Sequence, residues 1–376
     1  MTLTTSPSRA GVPGLYADHP VRMQADGTLR AWTIPMMLAD PSGTSAQDPR
    51  RLSRAVERGD LVRIRPGVYA ERAGWNDAYP MNRYMATVLA IAASRRAGAA
   101  MFCRETALAL HGISLWSFPR EISVRSARAG SSGTRRPVRK AGAQHAPFAE
   151  RHRMWPRAWR PLRGVDRGGM PSEELVLAGI SLRVESLDRT LADTIPCMDP
   201  AEAAAVLDAL LAGRPAGLKN TRASTPTPWS REELLGLQEL CTSAAARERF
   251  LMRARFATGE TDSPGESVSR VVIRDLGFAL PEMQHRVHDE SGALLGITDF
   301  WWEGAGTVGE FDGLAKYLGR RSYSGLSAEQ VIAEERRRED AICDQGLRMV
   351  RWLAEDLRSP ARLEAKLRRA GVPWRR

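Results

Sequence analysis

At 376 residues the chain is longer than one hydrophobic core usually supports, so two or three domains are expected. An apolar share of 43% with ten tryptophans predicts folded domains throughout, and no stretch approaches the ~20 consecutive apolar residues of a membrane span. The N-terminal stretch lacks the compact apolar segment of a secretory signal, so the protein is read as cytoplasmic, with no membrane among its partners. The four cysteines, Cys103, Cys197, Cys241 and Cys343, stand far apart, without a Cys-x-x-Cys pair or a histidine at ligand spacing. That spacing argues against a disulfide framework and against a zinc site.

The formal charge of +11 is unevenly spread. Residues 1–150 carry 21 basic and 11 acidic side chains, residues 151–262 carry 16 and 15, and residues 263–376 carry 18 and 18. Much of the excess lies between Arg120 and Arg167, where 13 Lys and Arg face three acids among Trp155, Trp159, glycines and prolines. A basic loop at 120–167 suits contact with phosphates, and equally suits a solvated surface.

Residues 1–27 hold turn formers and little periodicity, the pattern of a poorly ordered arm. Ala31 to Asp40 gives a short helix interrupted near Pro35. From Asp48 to Arg58 the signals agree: Asp48 as N-cap, Pro49 at the first helical position, Leu52, Ala55 and Val56 as one apolar stripe, and Gly59 as terminator. Arg50, Arg51, Arg54 and Arg58 are left on the outer faces. Leu61 to Ala70 then reads as two strands turned at Pro66-Gly67, with Arg63 and Arg65 alternating against apolar neighbours. A basic helix followed by a basic hairpin is the outline of a winged helix-turn-helix, spanning 28–75, in which the helix enters the major groove and the wing touches the DNA backbone. The alternative is a helix and hairpin that only pack on the next domain.

The segment Gly59-Asp-Leu-Val-Arg-Ile-Arg-Pro-Gly-Val-Tyr69 resembles the N-terminal winged helix of AbiEi-type antitoxins, which implies DNA binding. Farther on, at 80–240, the pattern is mixed α/β. Tyr84 to Ala93, Arg104 to Leu110, Leu187 to Ile195 and Pro200 to Ala212 read as helices, and Glu121 to Arg125 and Leu182 to Val184 as strands. Cys103-Arg-Glu-Thr-Ala-Leu-Ala-Leu-His-Gly112 and Glu185-Ser-Leu-Asp-Arg-Thr-Leu-Ala-Asp193 resemble the domain that follows the winged helix in the same antitoxin-like family, which implies a toxin as a further partner. His111, directly before Gly112, reads as a helix-capping or core residue. Gly213 to Ser230 is a linker or surface loop.

Residues 259–376 carry the candidate chemistry. Ser263-Pro264-Gly265-Glu266 opens a helix to about Asp275, and Gly277 ends it. Extended segments follow at Leu280 to His288, Leu294 to Trp302 and Thr307 to Phe311, then a long helix at Ala328 to Gln345 and a strand at Leu347 to Leu353. The order is αβββαβ. Asp299 ends the second strand and Glu310 lies in the third, so adjacent strands bring both carboxylates to one edge. Asp312, two residues on, shares the face of Glu310. Converging carboxylates repel unless a cation sits among them, and hard oxygen ligands suit Mg²⁺ or Mn²⁺.

Gly309-Glu-Phe-Asp-Gly-Leu-Ala-Lys-Tyr317, with Glu334-Glu-Arg-Arg-Arg-Glu-Asp340 and Gly346-Leu-Arg-Met-Val-Arg-Trp352, resembles a bacterial nuclease-like family related to very short patch repair endonucleases, within the PD-(D/E)XK fold. The resemblance implies Asp299 and Glu310 as metal ligands, Asp312 as a further acidic member, and Glu266 as the helix carboxylate facing the site. Asp312 stands where the family's wider pattern has lysine, so Lys316 would have to substitute for it. Each residue also has a plainer reading. Ser263 and Glu266 have the spacing of a capping box, Asp312-Gly313 is a common turn pair, Lys316 suits a solvated surface, and His285 and His288 are surface histidines or peripheral phosphate contacts. Arg336, Arg337 and Arg338 cannot all face one way; Arg336 is taken as the one that meets DNA, with others pairing to acids.

The expected fold class is therefore multidomain α+β and α/β: an N-terminal winged helix, a mixed middle domain and a C-terminal restriction-endonuclease-like core. The expected function is a DNA-binding protein with a Mg²⁺- or Mn²⁺-dependent endonuclease-like domain that hydrolyses phosphodiester bonds. The alternative is a non-enzymatic transcriptional regulator, or the antitoxin of a type IV toxin–antitoxin system, carrying a degenerate nuclease fold. RNA is the weaker substrate reading, because no aromatic stacking platform of the usual RNA-binding modules is visible.

Overall fold

The computed structural model describes residues 2–3, 21–23, 29–31, 34, 36–39, 48–78, 80–93, 101–113, 115–117, 119, 121–126, 133–135, 149–154, 172–177, 180–213, 228–312 and 328–375. Lys316, most of the expected arm at 1–27 and most of the basic loop at 120–167 lie outside these residues. Strands β1 (Thr2–Leu3), β2 (Val21–Met23), β3 (Leu29–Ala31) and β4 (Met36–Leu38) come first, then helix α1 (Pro49–Arg58) and the hairpin β5 (Leu61–Arg65) and β6 (Val68–Glu71). The middle of the chain holds α2 (Arg72–Asp77), α3 (Pro80–Ala93), β7 (Met101–Phe102), α4 (Arg104–Leu110), β8 (Glu121–Ser126), β9 (Gly133–Arg135), β10 (Ala149–Met154), β11 (Ser172–Leu177) and β12 (Ile180–Glu185). Helices α5 (Leu187–Thr194), α6 (Pro200–Leu211), α7 (Arg231–Gly236) and α8 (Ala244–Phe256) follow. The last third runs α9 (Pro264–Asp275), β13 (Glu282–His288), β14 (Leu294–Trp302), β15 (Thr307–Asp312), α10 (Ala328–Cys343), β16 (Arg348–Leu353), α11 (Ala354–Arg358) and α12 (Pro360–Arg369). The chain is a mixed α and β protein with several separate sheets.

Where a helix was expected between Ala31 and Asp40, the described residues include the strand Met36–Leu38 instead. Met36–Leu38 pairs antiparallel with β6, Met36 opposite Ala70, and Met36 is buried. A tertiary partner for the Met-Met-Leu triplet outweighs its helical propensity. Helix α1 is built as the sequence signals propose: the Asp48 carboxylate accepts the Arg50 N–H at 3.0 Å, and Gly59 closes the helix with φ of 93°. That positive φ is a left-handed conformation that favours glycine.

One apolar core joins the N-terminal sheet to the middle sheet, with Ile64, Val68 and Trp75 in contact with the cluster of Tyr84, Phe102, Ile122 and Leu182. At the edge of this core sits a buried ionic network. Arg125 on β8 donates to Glu185 at the end of β12 at 2.8 Å and to Asp193 on α5 at 2.8 Å, and Arg104 pairs with Asp193 at 2.8 Å. Glu185 is fully buried, and His111, the C-cap of α4, contacts its carbonyl through Nε2 at 2.7 Å.

The C-terminal sheet has the order β13-β14-β15-β16, the first three antiparallel and β16 parallel to β15. One face of this sheet packs on α9, α11 and α12 through Val268, Phe300, Phe311, Trp352, Leu363 and Leu367. The other face meets α10 through Val287, Val308 and Ile342. Phe311 lies so close to α9 that a Cβ on Gly265 would stand 2.0 Å from its ring, and Trp116 of the middle domain meets that ring edge-on at 5.9 Å. The buried Asp208 on α6 ties the two regions together, accepting the Thr258 N–H at 2.7 Å and the Gly259 N–H at 3.3 Å.

Two substitutions probe these contacts. Gly265→Ala forces the Phe311 ring away from α9 and is expected to cost about 1–3 kcal/mol. A melting temperature within a degree of the parent's would show that the ring accommodates the methyl group without strain. Arg125→Met leaves Glu185 buried without its main cation, an expected loss of roughly 3–5 kcal/mol in urea unfolding. A loss below about 1 kcal/mol, the scale of an exposed pair, would mean that the network contributes little to stability.

Candidate active site

The site is a row across the C-terminal sheet. Strand β15 faces α9 with Gly309 and Phe311, which leaves Glu310 and Asp312 on the α10 side with Val308. Strand β14 alternates in the same sense: Phe300 and Trp302 pack toward α9, and Trp301 packs toward α10. Asp299 therefore shares the face of Glu310. Phe300 pairs with Gly309, and the same register carried one residue further sets Asp299 opposite Glu310. There the Phe311 N–H donates to Asp299 Oδ2 at 2.9 Å. Across β15, Glu310 is in register with Arg351 of β16.

On the other side of Asp299 the partner position in β13 is Gln284, which falls between the pairs Met283–Phe300 and His285–Thr298. Gln284 has φ of 53°, a left-handed conformation unusual for a residue with a side chain. Its side-chain amide donates to Glu266 Oε2 at 2.9 Å. Glu266 also accepts the Asp262 N–H at 2.6 Å and the Ser263 hydroxyl at 2.8 Å, while its own N–H donates to Ser263 Oγ at 3.3 Å. The fully buried Glu266 carboxylate thus caps α9 and is linked by Gln284 to the strand beside the row. Gln284 was missed by sequence reading, since a lone glutamine in a short strand carries no chemical signature.

Glu310 is 3% exposed and Asp299 7%. The Glu310 carboxylate accepts from Arg338 of α10 at 2.5 Å and pairs with Arg351 at 2.9 Å. Burial pushes the Glu310 carboxyl above its ordinary range, against the pull of Arg338 and Arg351, and the charge of Asp299 adds to the rise. Arg351 also pairs with Asp312 at 3.7 Å, Glu335 at 2.8 Å and Glu339 at 3.4 Å. Arg351 was not singled out from the sequence, and Arg338 was named only within the run Arg336 to Arg338, whose members were expected to divide between DNA and neighbouring acids. A signal for Arg338 did exist: Ile342 is buried, and Arg338 and Glu335 precede it by four and seven residues, on the same helical face. Arg336 and Arg337 are exposed on the remaining faces.

A divalent cation suits this donor set in chemistry and in charge. Asp299, Glu310, Asp312, Glu335 and Glu339 supply hard oxygens and outnumber the two guanidiniums among them. Among the described residues, however, no three His, Cys, Asp or Glu side chains are gathered as a ready-made metal site. Both Glu310 oxygens are engaged by arginine instead. Far from this row, Arg50, Arg51, Arg54, Arg58 and Arg63 are exposed on α1 and β5, and Arg65 is half-buried. Arg58 pairs with Asp60 at 2.9 Å. His285 stacks on Trp301 at 4.6 Å, a packing contact beside the row.

No family model matches the chain. Two Mycobacterium tuberculosis proteins are similar to part of it: Uncharacterized protein MT2308 of strain CDC 1551 / Oshkosh and Uncharacterized protein Rv2248 of strain ATCC 25618 / H37Rv. Each is 29% identical over 115 residues, which is 30% of this chain and 39% of the relative. The chain thus spans well under half the length of the curated relatives it matches.

Arg351→Met removes one of the two guanidiniums that hold the Glu310 carboxyl down, so its pKa is expected to move further up. Carboxyl-carbon NMR of selectively labelled protein follows that titration. An unchanged Glu310 titration would mean that Arg351 does not govern its charge. Ser263→Ala removes the cap of α9 and is expected to cost about 1 kcal/mol in unfolding free energy.

Proposed function

We propose that the chain is a DNA-binding protein whose C-terminal domain is an endonuclease that hydrolyses phosphodiester bonds with Mg²⁺ or Mn²⁺. One observation carries the reading: two buried carboxylates, Asp299 and Glu310, share one face of adjacent central strands in an αβββαβ unit with its last strand parallel to the third. This is the order expected of a PD-(D/E)XK core. Asp299 and Glu310 would hold the cation, which when bound supplies a Lewis acid and a water of lowered pKa. The chain's own groups prepare the place. The Phe311 N–H orients Asp299, Arg351 keeps Glu310 from repelling its neighbours, and Glu266 fixes Gln284 beside the row.

The N-terminal module would hold the duplex. Helix α1 precedes the β5–β6 hairpin and displays Arg50, Arg51, Arg54 and Arg58 outward, which supports a winged-helix reading with phosphate contacts. The middle region would then be the antitoxin-like domain, with a cognate toxin as a further partner. A regulator or antitoxin with a degenerate nuclease fold is the second reading. The double guanidinium engagement of Glu310 favours it, as does Asp312 where the wider pattern has lysine.

Incubation of the purified chain with supercoiled plasmid in Mg²⁺, Mn²⁺ or EDTA separates the two. Metal-dependent nicking that Asp299→Ala and Glu310→Ala both abolish is the expected result. DNA binding without cleavage by the parent and both variants would leave the regulator reading standing. For the N-terminal module, Arg54→Ala is expected to weaken binding to all duplexes alike and to lower the salt dependence, log K against log salt, by about one unit. A loss confined to one DNA sequence would contradict a backbone contact.

A further inference from the structure

We propose that Arg338 is a two-position side chain: in the nucleic-acid-free protein its guanidinium takes the place of a divalent cation on Glu310, and when a cation binds there it turns to a phosphodiester of the DNA. The inference rests on the reading of Asp299 and Glu310 as cation ligands.

Two arginines engage Glu310, and they are held very differently. Arg351 stands on β16 within ion-pair reach of Glu310, Asp312, Glu335 and Glu339. If Glu310 is given up to a cation, Arg351 keeps the other three carboxylates. Arg338 has Glu310 and Glu335 as its acids and the Ile297 carbonyl at 3.3 Å as a further acceptor. Without Glu310 it keeps a single carboxylate, a neighbour on its own helix. Release of Glu310 therefore frees Arg338 and leaves Arg351 in place.

The present position also leaves Arg338 incompletely satisfied. Its Nε is buried and has no hydrogen-bond partner. A buried unbonded donor is unfavourable, and an oxygen of a phosphodiester would satisfy it, since Nε and Nη form the planar fork that matches two phosphate oxygens. The opposing wall is glycine. A Cβ on Gly296 would stand 3.2 Å from Arg338 Nη1 and 3.4 Å from its Cδ, so strand β14 accommodates the guanidinium because position 296 has no side chain. Arg338 thus closes the row against a cation when no DNA is present, and contributes positive charge to the substrate when one is.

Calorimetric titration of Mn²⁺ into the full chain without nucleic acid tests the latch, with retained circular dichroism and melting temperature as the check on folding. Arg338→Gln is expected to bind Mn²⁺ about tenfold more tightly than the parent, the scale of a coupling free energy of 1–3 kcal/mol between two sites. Gly296→Ala crowds the guanidinium without changing charge and should shift affinity in the same direction. Arg337→Gln makes the same charge change on an exposed face of α10 and should leave Mn²⁺ affinity within about twofold. Glu310→Gln should lose the binding. In Ca²⁺, Arg338→Gln should also bind a short duplex several-fold more weakly than the parent.

Equal Mn²⁺ affinity in the parent, Arg338→Gln and Gly296→Ala would overturn the latch while leaving the metal site intact. Equal tightening by Arg338→Gln and Arg337→Gln would reduce it to a general charge effect. Unchanged duplex affinity in Arg338→Gln would overturn the second position. No Mn²⁺ binding in any form, or binding that survives Glu310→Gln, would remove the proposed cation site itself.

Discussion

A carboxylate as buried as that of Glu310 must be matched by positive charge, and much of the C-terminal domain is arranged around that requirement. The parallel pairing of β16 to β15 places Arg351 directly across from Glu310. Helix α10 crosses the same face and brings Arg338, with Glu335 one turn earlier to hold both arginines. Each carboxylate added to the cluster raises the cost of leaving it unpaired. Two guanidiniums meet that cost in the described arrangement.

The opposite face of the sheet sets the direction of the row. Phe311 alternates with Glu310 and Asp312, so whatever fixes the ring fixes the direction of both acids. The ring lies over Gly265 on one side and against Trp116 on another. Trp116 belongs to the middle domain, and Asp208 of α6 binds the backbone at Thr258 and Gly259 just before α9 begins. The wall behind the acidic row is therefore shared between two regions of the chain.

Arginine serves two distinct ends here. On α1 the guanidiniums stand in water, where attraction to any opposite charge is long-ranged and screened by salt. In the middle domain and at the acidic row they are buried against carboxylates, Arg125 with Glu185 and Arg338 with Glu310, where removal of one partner strands the other. The count of 55 Lys and Arg therefore overstates the free positive charge, because part of that inventory is already paired with carboxylates inside the fold, although such pairing leaves the net charge of +11 unchanged.

Local patterns determined much of what could be read directly. Caps, prolines and glycines set α1 and α9, period-two alternation set the β5–β6 hairpin and strands β14 and β15, and the spacing of Glu310 and Asp312 put them on one face. These features follow from contacts within a few residues, and the sequence carries those contacts explicitly. The extended course of Met36–Leu38 was decided by β6, a strand some thirty residues away, against the local preference of the segment. The same holds for the row itself. Gln284, Arg338 and Arg351 come from three elements distant along the chain, and only strand register and the packing of Ile342 bring them to Asp299 and Glu310. Whether a buried carboxylate faces another acid, an amide or a guanidinium is a property of neighbours across the sheet, and that pairing arises in the tertiary structure because backbone hydrogen bonding and apolar burial, not local propensity, fix which strands lie side by side.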